Sequence, residues 1–206
     1  GGRDWSFQRI VESVQRVCDA MAYAHDRQVI HRDLKPDNIM LGAYGEVFVI
    51  DWGLAKVLGQ SNDDEMRSVD TTRSENTGTE TGHGWIGGTP AYMPPEQAWG
   101  RTDQMDHRSD VYSIGAILYH LLTGEPPYQG DSAAMVIRQV RNAPPPTLGS
   151  PRRGPQEFTD EDTRIIWHQN SEILISICEK AMAREAEHRF QSARTLGAEL
   201  AAWHEG

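Results

Sequence analysis

His31-Arg32-Asp33-Leu34-Lys35-Pro36-Asp37-Asn38 forms a polar loop between two short apolar runs, Val29-Ile30 and Ile39-Met40-Leu41. The β-branched and apolar flanks predict strands. The loop between them displays an acid, a lysine and an amide: Asp33, Lys35 and Asn38. A third β-type run, Val47-Phe48-Val49-Ile50, follows across Gly42-Ala43-Tyr44-Gly45-Glu46, a connection suited to a hairpin.

Working outward, helical patterns dominate. Upstream, Ile10, Val14, Val17 and Met21 recur at spacings of four, three and four, which predicts one core-facing helix from about Ser6 to His25. Downstream, residues 59 to 84 are rich in Ser, Thr, Gly, Asp and Glu without periodicity, and read as a mobile surface segment. Asp110 precedes Val111 to Leu122, a run apolar on most faces and stopped by Gly124-Glu125-Pro126-Pro127, hence a buried central helix. Asp131 or Ser132 is placed to cap another helix reaching about Arg141, with Pro144-Pro145-Pro146 beyond it. Residues 142 to 163 read as loop. Two further helices are predicted at about Ile173 to Ala183 and Ser192 to Trp203, the latter with Ala193, Leu196, Leu200 and Trp203 along one face. No repeat is present, and the pattern is that of one α+β domain, predominantly helical, with a small β-hairpin region at the polar loop.

Composition narrows the classes of function. The chain has 206 residues, 38% of them apolar and 24% charged, enough for one domain with a substantial core. A formal charge of −10 argues against a nucleic-acid or anionic-lipid surface, which needs clustered Lys and Arg. Cys18 and Cys178 each lie in an apolar periodic stretch, so buried thiols in a reducing compartment are expected rather than a bridge. The eight histidines show no metal-ligand spacing. No run reaches the 18 apolar residues of a membrane span, and Gly1-Gly2-Arg3-Asp4 is no signal peptide. With no initiating Met, the chain is expected to be an excerpt of a longer protein, and cytoplasmic.

The polar loop resembles the catalytic loop of eukaryotic-type protein kinases. Seven fixed residues at set spacing arise by chance in a chain this long with probability on the order of 10⁻⁷. Asp51-Trp52-Gly53, at the end of the third strand, resembles the family's metal-binding Asp-Phe-Gly, with Trp for Phe. Gly88-Thr89-Pro90-Ala91-Tyr92-Met93-Pro94-Pro95-Glu96 resembles the substrate-docking stretch, with Pro94 replacing Ala in Ala-Pro-Glu. The resemblance covers nearly the whole chain and implies the family's large carboxy-terminal lobe, with residues 51 to 96 as the activation segment. It is similar to the bacterial members, on Asp-Trp-Gly-Leu-Ala-Lys and Pro-Pro-Glu-Gln.

The resemblance implies transfer of the γ-phosphoryl group of ATP to protein Ser or Thr hydroxyls. Phosphoryl transfer asks mainly for positioning and charge cancellation. Asp33 is expected to accept the hydroxyl proton and Lys35 to neutralise the transferring phosphate. Asn38 and Asp51 would hold Mg²⁺, or Mn²⁺ in its place. Met40 would floor the adenine. A lysine two residues after the catalytic acid marks Ser/Thr specificity, and Thr89 supports it. His31 and Trp52 would stack the two loops together, Asp110 would hold the catalytic-loop backbone, and Glu96 would pair with Arg189. Arg32 and Lys56 match a basic pocket for a phosphate on the activation segment. Its insert offers Ser68, Thr71, Thr72, Ser74, Thr77, Thr79 and Thr81, with Thr81 the first candidate.

Protein substrates are implied as partners, and a trans-autophosphorylation dimer is compatible with the family. Gly82-His83-Gly84-Trp85-Ile86-Gly87 fits G-x-G-x-x-G but precedes no helix, and reads as flexible glycine in the activation segment. The family's amino-terminal lobe, with its Gly-rich loop and nucleotide-binding lysine, has no counterpart in the residues before Ser6. The isolated chain is therefore expected to transfer little or no phosphate. The alternative of another class is a pseudokinase or scaffold lobe that binds partner proteins, and upstream sequence would discriminate the two. A small-molecule phosphotransferase is disfavoured by the peptide-docking stretch.

Overall fold

The computed structural model describes residues 7–59, 78–81, 84–148 and 172–205. Helix α1 (Phe7–His25) packs on the helix at the far end of the chain, α6 (Ala193–Glu205), and on the central helix α3 (His107–Thr123). Its buried stripe is Val11, Val14, Val17, Cys18 and Met21, one residue displaced from Ile10 at its start. The apolar face is wide enough to hold both registers, and contact with α6 selects this one.

Helix α3 is the hub. Val111, Tyr112, Ile114, Ile117, Leu118 and Leu122 are all buried, each worth about 1.5–3 kcal/mol of apolar burial. The cap lies four residues earlier than the sequence suggested. Asp106, not Asp110, accepts from the Arg108 N–H at 2.7 Å, and Asp110 sits inside the first turn. Gly124, at φ 77°, closes the other end by donating its N–H to the His120 carbonyl. Helix α5 (172–181) lies against α3, where Gly115 permits contact: a Cβ there would stand 2.8 Å from both Ala181 Cβ and Met182 Cγ. Cys18 and Cys178 are free and buried, and burial pushes both thiols up.

Among the described residues there are three two-stranded antiparallel sheets. Strands β2 (Ile39–Leu41) and β3 (Val47–Val49) form the expected hairpin, with Met40 opposite Phe48. Strand β1 (Val29–Ile30) pairs with β4 (Lys56–Val57), a strand too short for periodicity to reveal. Strands β5 (Gly78–Thr81) and β6 (Gly84–Gly87) pair as well. This corrects the expectation of an irregular stretch at residues 78–81 and of flexible glycine at 84–87, because the antiparallel ladder satisfies backbone groups without needing an apolar pattern; residues 60–77 and 82–83 of that stretch lie outside the described residues. A second buried cluster, Met93, Ala98, Tyr128, Val136, Ile137 and Val140, joins the short helix α2 (Pro95–Ala98) to α4 (Ala133–Asn142). Ser132 caps α4 by accepting from the Met135 N–H. The result is the mostly helical α+β architecture anticipated.

Candidate active site

The polar loop is held from beneath by one carboxylate. Asp110, 1% exposed, accepts from the His31 N–H at 2.9 Å and the Arg32 N–H at 3.1 Å. The same carboxylate lies 2.8 Å from His25 Nε2 at the end of α1. Backbone donors satisfied this way fix the chain just ahead of Asp33. Arg32 adopts φ 68°, an uncommon conformation for a residue with a side chain. Three bonds oppose the strain: its N–H to Asp110, its Nε–H to the Leu54 carbonyl, and its carbonyl accepting from Gln97 Nε2 at 2.7 Å.

Asp33, Lys35, Asn38 and Thr89 converge. Lys35 Nζ donates to Asp33 Oδ2 at 3.0 Å and to Thr89 Oγ1 at 2.8 Å. The Thr89 N–H donates to Asp33 Oδ1 at 2.7 Å. Asn38 Nδ2 donates to the Asp33 carbonyl at 2.8 Å and to Oδ2 at 3.3 Å. Both carboxylate oxygens of Asp33 are thus oriented, and the cation of Lys35 lies between the acid and the docking stretch. Such a cluster can accept a proton at Asp33 and stabilise anionic oxygen at Lys35.

Across the hairpin, the Ile50 N–H donates to the Asn38 carbonyl at 2.9 Å, which brings Asn38 to the strand end carrying Asp51. Asp51 is exposed and adopts φ 60°, and no described residue donates to its carboxylate. Because the Asn38 amide nitrogen is turned to Asp33, its oxygen remains the acceptor. An amide oxygen and a free carboxylate are hard donors that fit Mg²⁺. Among the described residues no cluster of three or more His, Cys, Asp or Glu is placed to hold a metal ion. His31 ties the two loops together: its Nε2–H donates to the Ile50 carbonyl at 3.0 Å, its Nδ1 accepts from the Asp33 N–H at 3.3 Å, and its ring lies 4.7 Å from that of Trp52. Those two bonds require the Nε2–H tautomer. Trp52 Nε1 donates to the Val49 carbonyl, so the larger ring is accommodated with its polar edge paired. Met40 and Phe48, opposite each other on the hairpin, are each 55% exposed.

The docking stretch is anchored at its far end by a salt bridge. Arg189, 2% exposed, donates Nη1–H to Glu96 Oε1 at 2.8 Å and Nη2–H to Oε2 at 2.9 Å, while Ser109 Oγ–H also donates to Oε1. Burial would raise the Glu96 carboxyl, but the bonds and charge of Arg189 and the Ser109 hydroxyl outweigh it and hold the group below the usual range. Tyr92 Oη lies 2.7 Å from His120 Nδ1.

Thus His31, Asp33, Lys35, Asn38 and Thr89 meet directly, Asp110 and Trp52 touch the loop, and Glu96 pairs with Arg189. Lys56 pairs with Ile30 in the β1–β4 ladder, two residues from Arg32. Thr79 and Thr81 lie in β5. Ser68, Thr71, Thr72, Ser74 and Thr77 fall outside the described residues. Sequence reasoning missed His25 and Gln97, whose contacts join positions 85 and 65 residues apart. No local pattern marks His25, and Gln97 closes the Pro-Pro-Glu-Gln run without any signal of these two contacts.

The chain belongs to the protein kinase family: the protein kinase domain matches residues 4–199. Among curated relatives, the serine/threonine-protein kinase PknB of Mycobacterium tuberculosis is 37% identical over 201 residues, covering 97% of this chain and 27% of that protein. Serine/threonine-protein kinase PknD of Protochlamydia amoebophila is 34% identical over 190 residues, covering 92% of the chain and 18% of that protein. Serine/threonine-protein kinase pkn3 of Myxococcus xanthus is 37% identical over 207 residues, 97% of the chain and 32% of that protein. The chain thus spans a third or less of the length of these relatives.

Proposed function

We propose that this chain is the large lobe of a protein kinase that transfers the γ-phosphoryl group of ATP to Ser or Thr hydroxyls of proteins. The convergence of Asp33, Lys35, Asn38 and Thr89 carries the reading. Asp33 orients the incoming hydroxyl and accepts its proton as the bond to phosphorus forms. Lys35 Nζ, 2.8 Å from Thr89 Oγ1, offsets charge on the transferring group and fixes the acceptor's seat. Asn38 and Asp51 would hold Mg²⁺, which when bound cancels negative charge on the phosphate oxygens of ATP. Met40 and Phe48 supply an apolar surface suited to the adenine. The stretch from Gly88 to Glu96 seats the acceptor peptide.

The test uses the longer polypeptide that includes an upstream lobe, with ATP, Mg²⁺ and peptides differing only in Ser, Thr or Tyr at the acceptor. Transfer to Ser and Thr but not Tyr is expected, and Asp33→Asn should reduce it by about 10²–10⁴-fold. Unmodified protein that transfers nothing would leave the scaffold reading in its place. Regulation follows the same site. Phosphate on the insert, with Thr81 the first candidate, would engage Arg32 and Lys56. Mass spectrometry of fully active enzyme showing an unmodified insert would end that part of the proposal.

A further inference from the structure

Gln97 closes a ring around the candidate base. Its Nε2 donates to two backbone carbonyls at 2.7 Å each: Arg32, in the loop one residue before Asp33, and Gly87, at the end of β6. Both neighbours are acceptors, so only the amide nitrogen can face them, and each of its two hydrogens is used. The residue is 5% exposed, which makes loss of these bonds costly because the buried Gly87 carbonyl and the part-buried Arg32 carbonyl would both lose their donor.

From Gly87 the chain passes through Gly88 to Thr89, whose N–H donates to Asp33 Oδ1. Gly88 is at φ 109°, and a Cβ there would stand 2.9 Å from Gln97 Nε2 and 3.1 Å from the Arg32 carbonyl. The ring is therefore closed tightly: Gln97 to Gly87, along the chain to Thr89, across to Asp33, back to Arg32 and to Gln97 again. Glu96, the preceding residue in α2, is bolted to Arg189, so Gln97 projects from a fixed base.

We infer that Gln97 is a positioning residue for phosphoryl transfer, its amide clamping the activation segment to the catalytic loop so that the Thr89 N–H aims Asp33 at the acceptor hydroxyl. Gln97 is not itself a catalytic residue, since it acts through two carbonyls and a neighbouring amide. The inference rests on the kinase reading above.

Gln97→Glu and Gln97→Met keep the side chain's reach and remove both donors. In the longer polypeptide with its upstream lobe, each variant should lower kcat by about tenfold or more, through misplacement of the base. KM for ATP should stay within about twofold, because the expected nucleotide contacts lie across the hairpin. Hydrogen exchange at the Thr89 amide should accelerate. Unchanged kcat per folded molecule in both variants overturns the inference. So does a loss that only tracks the fraction folded in a denaturation curve, or one confined to KM for ATP. Unmodified protein that transfers no phosphate removes the kinase reading and this inference together, whereas active enzyme indifferent to both variants removes the positioning role alone.

Discussion

Asp110 shows how one buried residue sets the geometry of several exposed ones. Its two oxygens take backbone hydrogens from His31 and Arg32, and one of them also meets His25 Nε2. Asp110→Asn replaces one acceptor oxygen with a donor and sets N–H against N–H at the loop or at His25. The expected loss is about 3 kcal/mol of stability by chemical denaturation, together with a fall in kcat in the phosphate-transfer assay that tests the proposed function. Retained stability and activity would show that the loop keeps its shape without this carboxylate. At this scale Asp33, Lys35, Asn38 and Asp51 stood out in the sequence through motifs of the kinase family, and the structure brings Asp33, Lys35 and Asn38 into one hydrogen-bonded cluster. His25 and Gln97 were not, because each works through a backbone or carboxylate partner far along the chain, and a single His or Gln carries no periodicity.

Elements were legible in proportion to the apolar surface they bury. The long helices announced themselves through periodic Val, Ile and Leu, and the β2–β3 hairpin through two β-type runs joined by a glycine-bounded turn. Strand β4, two residues long, and the β5–β6 ladder rest on backbone pairing, which side-chain patterns do not report. Helix ends were less legible than helix bodies: Asp110 stands directly before the apolar run, whereas Asp106, followed by the polar His107, Arg108 and Ser109, is the residue that accepts from the first turn. Asp106→Ala should therefore destabilise the protein by about 1 kcal/mol, measured by thermal unfolding. Closer packing sets a sharper constraint at Gly115, where α3 meets Ala181 and Met182. Gly115→Val should cost about 1–3 kcal/mol by overpacking. A neutral result would mean that α3 and α5 can separate freely.

The molecule as a whole is tied together by the Glu96–Arg189 bridge, which joins the end of the docking stretch to the chain's final turn before α6 across 93 residues. Arg189 reaches further still, donating to the carbonyls of Ala183, Arg184 and Arg108, so it holds three segments at once. Removing either charge leaves the other buried, and Arg189→Met or Glu96→Ala should destabilise the fold by about 3–5 kcal/mol. The pH dependence carries a definite sign. Burial pushes the Glu96 carboxyl up, yet the paired guanidinium and the Ser109 hydroxyl prevail and keep it below the ordinary 4.5. The folded protein therefore binds this proton more weakly than the unfolded chain does. The stabilisation from the pair is complete above that ordinary value and is lost as the pH falls through the folded value. Denaturant titrations stepped downward from neutrality should show stability falling below about pH 4.5, with Glu96→Gln flattening that part of the curve. A variant that keeps the unmodified slope would assign the acid sensitivity to other carboxylates and leave the bridge with only a geometric role.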